Sequence, residues 1–279
     1  MKVIFVCTGN TCRSPMAEGY LKSLNLKGVT VTSRGLCPGG DTVSEQSAVS
    51  MKKIGIDIKN HISKQINPFD LEADLFFCMT SSHAAALKSI GIDEDKIYLP
   101  ETEIPDPYMK GQAEYDFCRD MIIKAINEAL FCGVFTPFNI SFAKQSDIKD
   151  IAYIEKECFS DPWSEKAIEE SMNAATSFFI AKKKEKTVGY VGLSIVADEA
   201  YITNIAVLKD FRENSVATIL LLRAIEEAKK KCAFISLEVR TSNEKAINLY
   251  NKLLFTKEGQ RKGFYDNPKE DAIIMTRRF

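Results

Sequence analysis

A cysteine and an arginine stand six residues apart in one short loop of the chain. The loop follows a predicted strand at residues 2–6 and precedes a predicted helix at 15–24, with Ser14 as the N-cap and Pro15 in the first helical position. It reads Cys7-Thr8-Gly9-Asn10-Thr11-Cys12-Arg13. A loop in this place points its N–H groups inward at the positive end of the helix dipole, which makes it a cradle for an anion. Gly9 and Asn10 best tolerate the positive φ that such a cradle needs.

These residue types at this spacing could bind and attack a phosphate. The loop amides would lower the pKa of Cys7, so that it is a thiolate at neutral pH. Arg13 offers a planar fork for two phosphate oxygens, and the Ser14 hydroxyl can donate to the thiolate. The pattern Cys-x5-Arg-Ser between a strand and a helix favours this interpretation over a buried strand cysteine. A metal or redox pair of Cys7 with Cys12 is also disfavoured, because the spacing is not CxxC and no histidine lies nearby in the sequence.

The segment CTGNTCRSPMAE resembles the signature of the low-molecular-weight protein tyrosine phosphatases, and residues 1–131 fit that family. The resemblance implies a flavodoxin-like parallel sheet and a general acid on a late Asp-Pro loop. Asp106 in Ile104-Pro105-Asp106-Pro107-Tyr108 matches that acid. From the residues alone, Asp106 could equally be an ordinary turn aspartate. The implied phosphate-binding residues are Thr8, Gly9, Asn10, Thr11, Cys12, Arg13 and Ser14.

The resemblance also implies a mechanism that requires no metal. Cys7 attacks phosphorus, Arg13 and the loop amides hold the equatorial oxygens, and Asp106 protonates the leaving group and then activates water. Thr11 favours phosphoarginine over phosphotyrosine, because relatives directed to tyrosine usually carry a larger aliphatic residue there. A likeness to thioredoxin-coupled arsenate reductases is disfavoured, since Thr80 and Leu87 stand where further redox cysteines are needed.

The second half of the chain predicts strand, two helices, three strands, helix, strand, helix and two strands. Helix starts are marked at Asp147 and Ser164, and residues 177–183, 187–196 and 199–207 predict an antiparallel meander. A loop at 211–218 then opens an apolar helix at 219–228. Backbone amides at this second strand-to-helix junction suit a pyrophosphate.

This half resembles the GNAT N-acetyltransferases, and among them those that modify ribosomal-protein alanine. The segments that carry the resemblance are Asn204-Ile205-Ala206-Val207, Leu237-Glu238-Val239-Arg240, Ser242-Asn243, Ala246-Ile247-Asn248-Leu249-Tyr250 and Glu270-Asp271-Ala272-Ile273-Ile274-Met275. A mixed-sheet fold, acetyl-CoA as co-substrate, Glu238 as general base and Tyr250 as the acid for the coenzyme A thiolate are implied. The implied cofactor-binding residues are Ile205, Ala206, Val207, Arg212, Glu213, Asn214, Ser215, Val216, Ala217, Thr218 and Asn243.

The residue patterns support the implied role of Glu238 but not that of Tyr250. Strand alternation places Glu238 on the face opposite Leu237 and Val239, where a site could lie. Helical spacing places Tyr250 on one face with Ile247 and Leu253, so periodicity alone favours a core tyrosine.

Two positions depart from the family pattern. The pyrophosphate loop reads Arg212-x-x-Ser215-x-Ala217, in which Ser215 replaces a glycine, and Leu254 replaces the glycine of a later Leu-Gly-Phe turn. Either change could weaken acetyl-CoA binding, because glycine lets the backbone approach a phosphate or end a helix. The alternative to two activities is therefore a phosphotyrosine phosphatase whose weak GNAT domain serves as a binding module.

Length and composition restrict the number of domains and the class of protein that these hypotheses can involve. The chain has 279 residues, 27% charged and 45% hydrophobic, with a formal net charge of −1 and eight cysteines. This length predicts two α/β domains, which we place at 1–132 and 138–279 around a linker at 133–137. Near-neutral charge argues against direct nucleic-acid binding, and no stretch is apolar enough to span a membrane. We expect a cytoplasmic bifunctional enzyme with reduced thiols that acts on phosphorylated proteins and on protein N-termini.

Overall fold

The chain forms two compact units, Met1–Leu130 and Phe131–Phe279, in a computed structural model that describes residues 1–174 and 176–279. The helix that closes the first unit extends one residue past this division, to Phe131, and the first strand of the second unit begins at Asn139. The linker that the sequence predicts at 133–137 stays a prediction.

The first unit contains a parallel sheet with helices between its strands. Its described strands are β1 (Lys2–Cys7), β2 (Thr30–Gly35), β3 (Leu75–Cys78) and β4 (Ile97–Tyr98), and its described α-helices are α1 (Arg13–Ser23), α2 (Glu45–Lys52), α3 (Ser81–Ser89) and α4 (Gln112–Phe131). The strand order is β2-β1-β3-β4, so β1 is a central strand. Every residue of β3 is buried, as expected of a parallel strand covered on both faces. The predicted flavodoxin-like α/β fold is confirmed.

The start of α1 differs from the prediction. The helix begins at Arg13 with Cys12 as its N-cap, and the Cys12 carbonyl accepts the Met16 N–H at 3.3 Å. The prediction of Ser14 as N-cap and Pro15 as first helical residue was therefore wrong. The Ser14 hydroxyl instead lies 3.0 Å from the sulfur of Cys7, so it serves the loop rather than the helix end.

The second unit contains a mixed sheet whose strand order is β10-β11-β9-β8-β7-β6-β5. Its described strands are β5 (Asn139–Phe142), β6 (Thr176–Lys183), β7 (Lys186–Val196), β8 (Glu199–Val207), β9 (Phe234–Arg240), β10 (Thr256–Asp266) and β11 (Lys269–Arg278). Its described α-helices are α5 (Ile148–Cys158), α6 (Glu165–Asn173), α7 (Val216–Lys229) and α8 (Glu244–Lys252). The element order and the mixed sheet agree with the prediction, although α7 begins one turn earlier than expected.

A bulge and a divergence shape β8. Val191 of β7 pairs with Ile205, but Leu193 pairs with Ile202, so Gly192 alone faces two residues of β8. A Cβ at Gly192 would lie 2.3 Å from the Thr203 hydroxyl, which explains why glycine stands there. On its other side β8 pairs in parallel with β9 only as far as Tyr201. Along the described residues, the end of β8 therefore has an edge toward β9 that carries no strand pairing.

No helix in the described ranges combines the length and the apolar character needed to cross a lipid bilayer.

Candidate functional site

The sulfur of Cys7 lies at the end of β1, at the base of the loop that leads into α1. Cys7 is 2% exposed. Its sulfur lies 3.0 Å from the Ser14 hydroxyl oxygen and accepts the Asn10 N–H at 3.3 Å. The predicted partner Ser14 therefore contacts the candidate nucleophile directly.

The protonation of Cys7 differs from the sequence-based expectation. Burial raises the pKa of the thiol above its ordinary value, whereas the hydrogen bonds from Ser14 and Asn10 and the charge of Arg13 lower it. The prediction of a lowered pKa was wrong in direction, because it considered the loop amides and omitted the desolvation of a fully buried sulfur. Ionisation of Cys7 thus depends on the groups that donate to it.

Asn10 holds the loop from inside the domain. It adopts φ 53° and is fully buried. Its side-chain amide donates to the hydroxyls of Ser14 and Ser33, each at 2.8 Å, and its Oδ1 accepts the Lys64 N–H at 2.8 Å. The expectation of a positive φ is confirmed for Asn10 and wrong for Gly9, which does not adopt the left-handed conformation.

The two histidines of the chain both contact this loop. His83 Nε2 lies 3.0 Å from the Thr8 hydroxyl, and its Nδ1 lies 2.7 Å from the Thr80 hydroxyl. His61 Nε2 lies 3.1 Å from the Asn10 carbonyl oxygen. Burial lowers the pKa of both rings, that of His83 to about 4, so His83 is neutral at pH 7. The sequence analysis did not predict that His61 and His83 contact the loop. The one available indication was that the chain has only two histidines.

Arg13 and Asp106 meet at the mouth of the loop although 93 residues separate them. Arg13 Nη2 lies 2.5 Å from Asp106 Oδ2, and Arg13 Nη1 donates to the Ile104 carbonyl at 3.2 Å. The Tyr108 N–H donates to the other Asp106 oxygen at 3.1 Å. The Arg13 side chain is 6% exposed and that of Asp106 is 50% exposed. The structure therefore brings a buried guanidinium and a solvent-accessible carboxyl to one site beside Cys7.

Thr11 and Cys12 complete the loop before α1. Thr11 is half-buried, its carbonyl accepts the Ser44 N–H at 2.9 Å, and its hydroxyl lies 3.6 Å from the Cys12 sulfur. The Cys12 sulfur also lies 3.4 Å from the Tyr115 hydroxyl of α4. Within the residues that the structure covers, no cluster of three or more His, Cys, Asp or Glu side chains could hold a metal ion.

In the second unit, Glu238 lies on β9 with its carboxylate partly exposed. Its side chain is 26% exposed and forms an ion pair with Arg261 of β10, with Arg261 Nη1 at 3.2 Å from Glu238 Oε1. Its neighbours Leu237 and Val239 are buried, as the alternation predicted. The sequence did not predict that a cation holds the candidate base.

Tyr250 lies on α8 inside the core. It is 5% exposed, its ring centroid lies 5.9 Å from that of Phe255, and burial raises the pKa of its hydroxyl. Across the described structure, no hydrogen bond joins Tyr250 to Glu238. Burial raises the pKa of Tyr265 as well, and the charge of Glu238 raises it in the same direction.

The candidate cofactor segment runs from the end of β8 to the first turn of α7. Arg212 Nε donates to the Val207 carbonyl at 2.9 Å, and Arg212 Nη2 lies 3.6 Å from the Cys158 sulfur. The carbonyl of Val207, an implied cofactor-binding residue, is thus already hydrogen-bonded within the domain. Asn214 caps its own turn by donating to the Arg212 carbonyl at 3.0 Å. The residues Val216, Ala217 and Thr218 form the first turn of α7, where N–H groups have no intrahelical acceptor.

The unpaired edge and this helix start fit the two parts of acetyl-CoA. The edge of β8 that faces β9 offers the Ile205 backbone groups to a pantetheine amide, and the start of α7 offers N–H groups to a pyrophosphate. Asn243 is the N-cap of α8, where its Oδ1 accepts the Ala246 N–H at 3.2 Å. That side-chain oxygen is therefore engaged in capping.

Both positions that lack the family glycine adopt a left-handed backbone. Ser215 has φ 65° and Leu254 has φ 64°. A side chain in this conformation costs about 1–2 kcal/mol, because its Cβ approaches the backbone. The two residues that replace a family glycine, Ser215 and Leu254, therefore both have a strained backbone.

Comparison with known proteins assigns each unit separately. Residues 2–134 match the family described as low molecular weight phosphotyrosine protein phosphatase, and residues 148–255 match the acetyltransferase (GNAT) family. The chain is 37% identical over 132 residues to a putative ribosomal protein bS18-alanine N-acetyltransferase of Bacillus subtilis (strain 168), which covers 46% of this chain and 87% of the relative.

Two further similarities concern the first unit. The chain is 35% identical over 121 residues to the low molecular weight protein-tyrosine-phosphatase Ptp of Acinetobacter johnsonii, which covers 41% of this chain and 84% of the relative. A solved structure, the YwlE arginine phosphatase from Geobacillus stearothermophilus, is 31% identical with a TM-score of 0.43, covering 46% of this chain and 92% of that chain.

The Ser14→Ala variant is expected to raise the pKa of Cys7 further, because it removes a hydrogen bond that lowers this pKa. The measurement is the pH dependence of Cys7 alkylation by iodoacetamide, followed on the Cys7 peptide by mass spectrometry. Ser23→Ala is the matched control, since the Ser23 hydroxyl donates to its own helix at the Tyr20 carbonyl. An unchanged or lower alkylation midpoint in Ser14→Ala would show that Ser14 does not stabilise the thiolate.

The Ser215→Gly variant is expected to bind acetyl-CoA several-fold more tightly, because removal of Cβ lets the loop backbone approach the pyrophosphate. Leu254→Gly is the control: it relieves the same left-handed strain outside the cofactor loop, so it should stabilise the domain by up to about 1 kcal/mol without changing the acetyl-CoA Kd. Calorimetric titration and thermal unfolding measure the two effects. Equal Kd values for wild type and Ser215→Gly would contradict the prediction.

Proposed function

Because the chain belongs to the low molecular weight phosphatase family through its first domain and to the GNAT acetyltransferase family through its second, we propose that it is a bifunctional enzyme. The first domain dephosphorylates phosphoproteins, and the second acetylates protein N-termini with acetyl-CoA. The observation that carries the first activity is the meeting of Cys7, Arg13 and Asp106 around one loop.

The phosphatase reaction follows from this arrangement. Cys7 attacks phosphorus as the thiolate, the form that Ser14, Arg13 and Asn10 favour, while Asp106 donates a proton to the departing nitrogen or oxygen of the substrate. The charge of Arg13 and the loop amides stabilise the equatorial oxygens during both steps. Asp106, now a carboxylate, takes a proton from the water that hydrolyses the cysteinyl-phosphate, which restores the thiolate and releases phosphate. The exposed half of the Asp106 side chain gives water access to this carboxyl.

We propose phosphoarginine as the preferred substrate of the first domain. The support is Thr11, which is small, polar and half-buried at the position where tyrosine-directed relatives usually carry a larger aliphatic residue. A smaller side chain leaves room for the guanidinium that surrounds a phosphoramidate nitrogen, and a hydroxyl can hydrogen-bond to it.

We propose that the second domain acetylates an N-terminal alanine, as the names of its relatives indicate for a ribosomal protein. Acetyl-CoA supplies the activated acetyl group when bound. Glu238, on the exposed side of β9, would take a proton from the acceptor ammonium, directly or through water. The cationic acceptor would first compete with Arg261 for the Glu238 carboxylate. Tyr250 would hold the proton that the leaving thiolate requires.

A second candidate keeps only the phosphatase activity and gives the GNAT domain a binding role. The pairing of Glu238 with Arg261, the burial of Tyr250 and the strained Ser215 favour it. Calorimetry with acetyl-CoA separates the candidates, since no binding at millimolar ligand would contradict a bifunctional enzyme.

The Thr11→Ile variant is expected to lower the phosphoarginine-to-phosphotyrosine ratio of kcat/KM by about ten-fold, because a bulky aliphatic group excludes the guanidinium. Rates on two peptides that differ only in the phosphorylated residue measure this ratio. Thr30→Ile, an exposed position on β2, is the matched control and should leave it unchanged. A ratio that Thr11→Ile leaves untouched would refute the role of Thr11.

The Glu238→Gln variant is expected to lower the rate of acetylation of a peptide with N-terminal alanine by about 10²-fold or more, because an amide cannot accept the ammonium proton. Mass spectrometry of the peptide measures the transfer. Glu258→Gln removes a carboxylate of β10 that pairs with Arg278 and should retain the wild-type rate. Equal losses in both variants would show a general effect of charge instead of a base at Glu238.

A further inference from the structure

The buried carboxylate of Glu155 lies beneath the sheet of the second domain, apart from the candidate catalytic groups. It projects from α5 and is 1% exposed. Its Oε1 accepts hydrogen bonds from the Tyr190 hydroxyl and from Asn204 Nδ2, the latter at 2.8 Å. Its Oε2 accepts the Trp163 N–H at 2.8 Å. One carboxylate thus joins α5 to β7, to β8 and to the segment between α5 and α6.

Such a group is costly to bury. Burial raises the pKa of Glu155, while the Trp163 amide and Asn204 lower it. No ion pair with a lysine or arginine compensates the charge among the described residues. Apolar side chains fill the rest of this core, including Ile151 and Ile154 on the same helix, and a further apolar residue would stabilise it at least as well. Stability alone therefore does not account for a carboxylate at this position.

One arm of Glu155 holds the segment 159–163 between α5 and α6, which we call the acceptor loop for the role that we assign to it below. In addition to the contact of Trp163 with Glu155, this loop contacts the turn between β10 and β11. There the Ser160 hydroxyl donates to the Asn267 carbonyl at 2.8 Å. Arg240 donates to that same carbonyl at 2.9 Å from β9, two residues after Glu238. The acceptor loop is thereby fastened to the strand that carries the candidate base.

The other arm holds the bulge of β8. Asn204 is one of the two residues that face Gly192, and it directly precedes Ile205 in the part of β8 that no longer pairs with β9. The bulge sets which backbone groups of β8 point toward β9. The hydrogen bond from Asn204 Nδ2 to Glu155 holds the side chain of this bulge residue against α5.

We propose that Glu155 is a positioning residue that couples the acceptor loop to the cofactor strand, so that the acceptor amine and the acetyl group are held at one distance. This proposal rests on the acetyltransferase function proposed above. Its physical reason is that a carboxylate accepts at both oxygens, while Trp163 and Asn204 can only donate to it. A misplacement of either substrate by about 1 Å can cost 10²-fold in rate.

The Glu155→Gln variant tests the coupling with little change in shape. A glutamine presents one oxygen and one NH2 group, so its NH2 group opposes the Trp163 N–H when its oxygen accepts from Asn204. When its oxygen accepts from Trp163 instead, Asn204 must turn its amide over to accept from the NH2 group. We expect the KM values for the alanine peptide and for acetyl-CoA to change together with kcat, with kcat/KM falling by about ten-fold or more, since each bond to a carboxylate is worth about that factor. Asn204→Ala cuts one arm only and should raise the KM for acetyl-CoA while the KM for the peptide stays near wild type.

Ile151→Val is the stability control. It removes one buried methylene from the same helix and should lower the midpoint of thermal unfolding by a few degrees without altering either KM. Glu155→Gln with reduced stability and both KM values unchanged would overturn the proposal and leave Glu155 a structural residue.

Hydrogen exchange supplies a readout that does not depend on turnover. In Glu155→Gln, the amides of residues 159–163 and of 204–207 are expected to exchange faster together, and in Ile151→Val they are not. Faster exchange in only one of the two segments would also overturn the coupling. A wild-type chain that neither binds acetyl-CoA nor transfers acetyl would refute the proposed function, whereas the exchange result would still decide whether Glu155 joins the two segments.

Discussion

The junction between a β-strand and the N-terminus of the next helix constrains both domains. At such a junction the first N–H groups of the helix lack intrahelical acceptors and point toward the loop. In the first domain β1 leads through the Cys7 loop into α1, and in the second β8 leads through residues 208–215 into α7. Each loop has a residue at positive φ, Asn10 and Ser215 respectively. A chain with a net charge of −1 can thus offer two anion sites that are built mainly from backbone.

The junction alone does not make a catalyst, because side chains from distant segments must meet it. In the first domain Asp106 arrives from a loop after β4 to pair with Arg13, and two neutral histidines support the loop from within. In the second domain the corresponding supports are less direct. Glu238 is held by Arg261, and the bulge of β8 is held by Glu155. The first candidate site is consequently assembled around Cys7. The second depends on the relative positions of β8, β9 and the acceptor loop.

Much of this could be predicted from local patterns, and the remainder depends on tertiary packing. The Cys-x5-Arg loop and the order of elements in the second domain follow from motifs and periodicity, whereas Asp106 follows only from the resemblance to a phosphatase family. The raised pKa of Cys7 does not follow from either, because it depends on how completely the folded domain buries the sulfur. Glu155 gave one signal that we did not use: it stands four residues after Ile151, on the apolar stripe of an amphipathic helix.

The most direct test of the central claim is amide chemical-shift mapping of the full chain with two ligands. Inorganic phosphate should shift the backbone amides of residues 8–14 and leave those of α7 unchanged, while coenzyme A should shift residues 205–207 and 213–218 and leave the first loop unchanged. Phosphate that shifts none of the amides from Thr8 to Ser14, or coenzyme A that shifts none at the start of α7, would contradict the account that strand-to-helix junctions form the two sites.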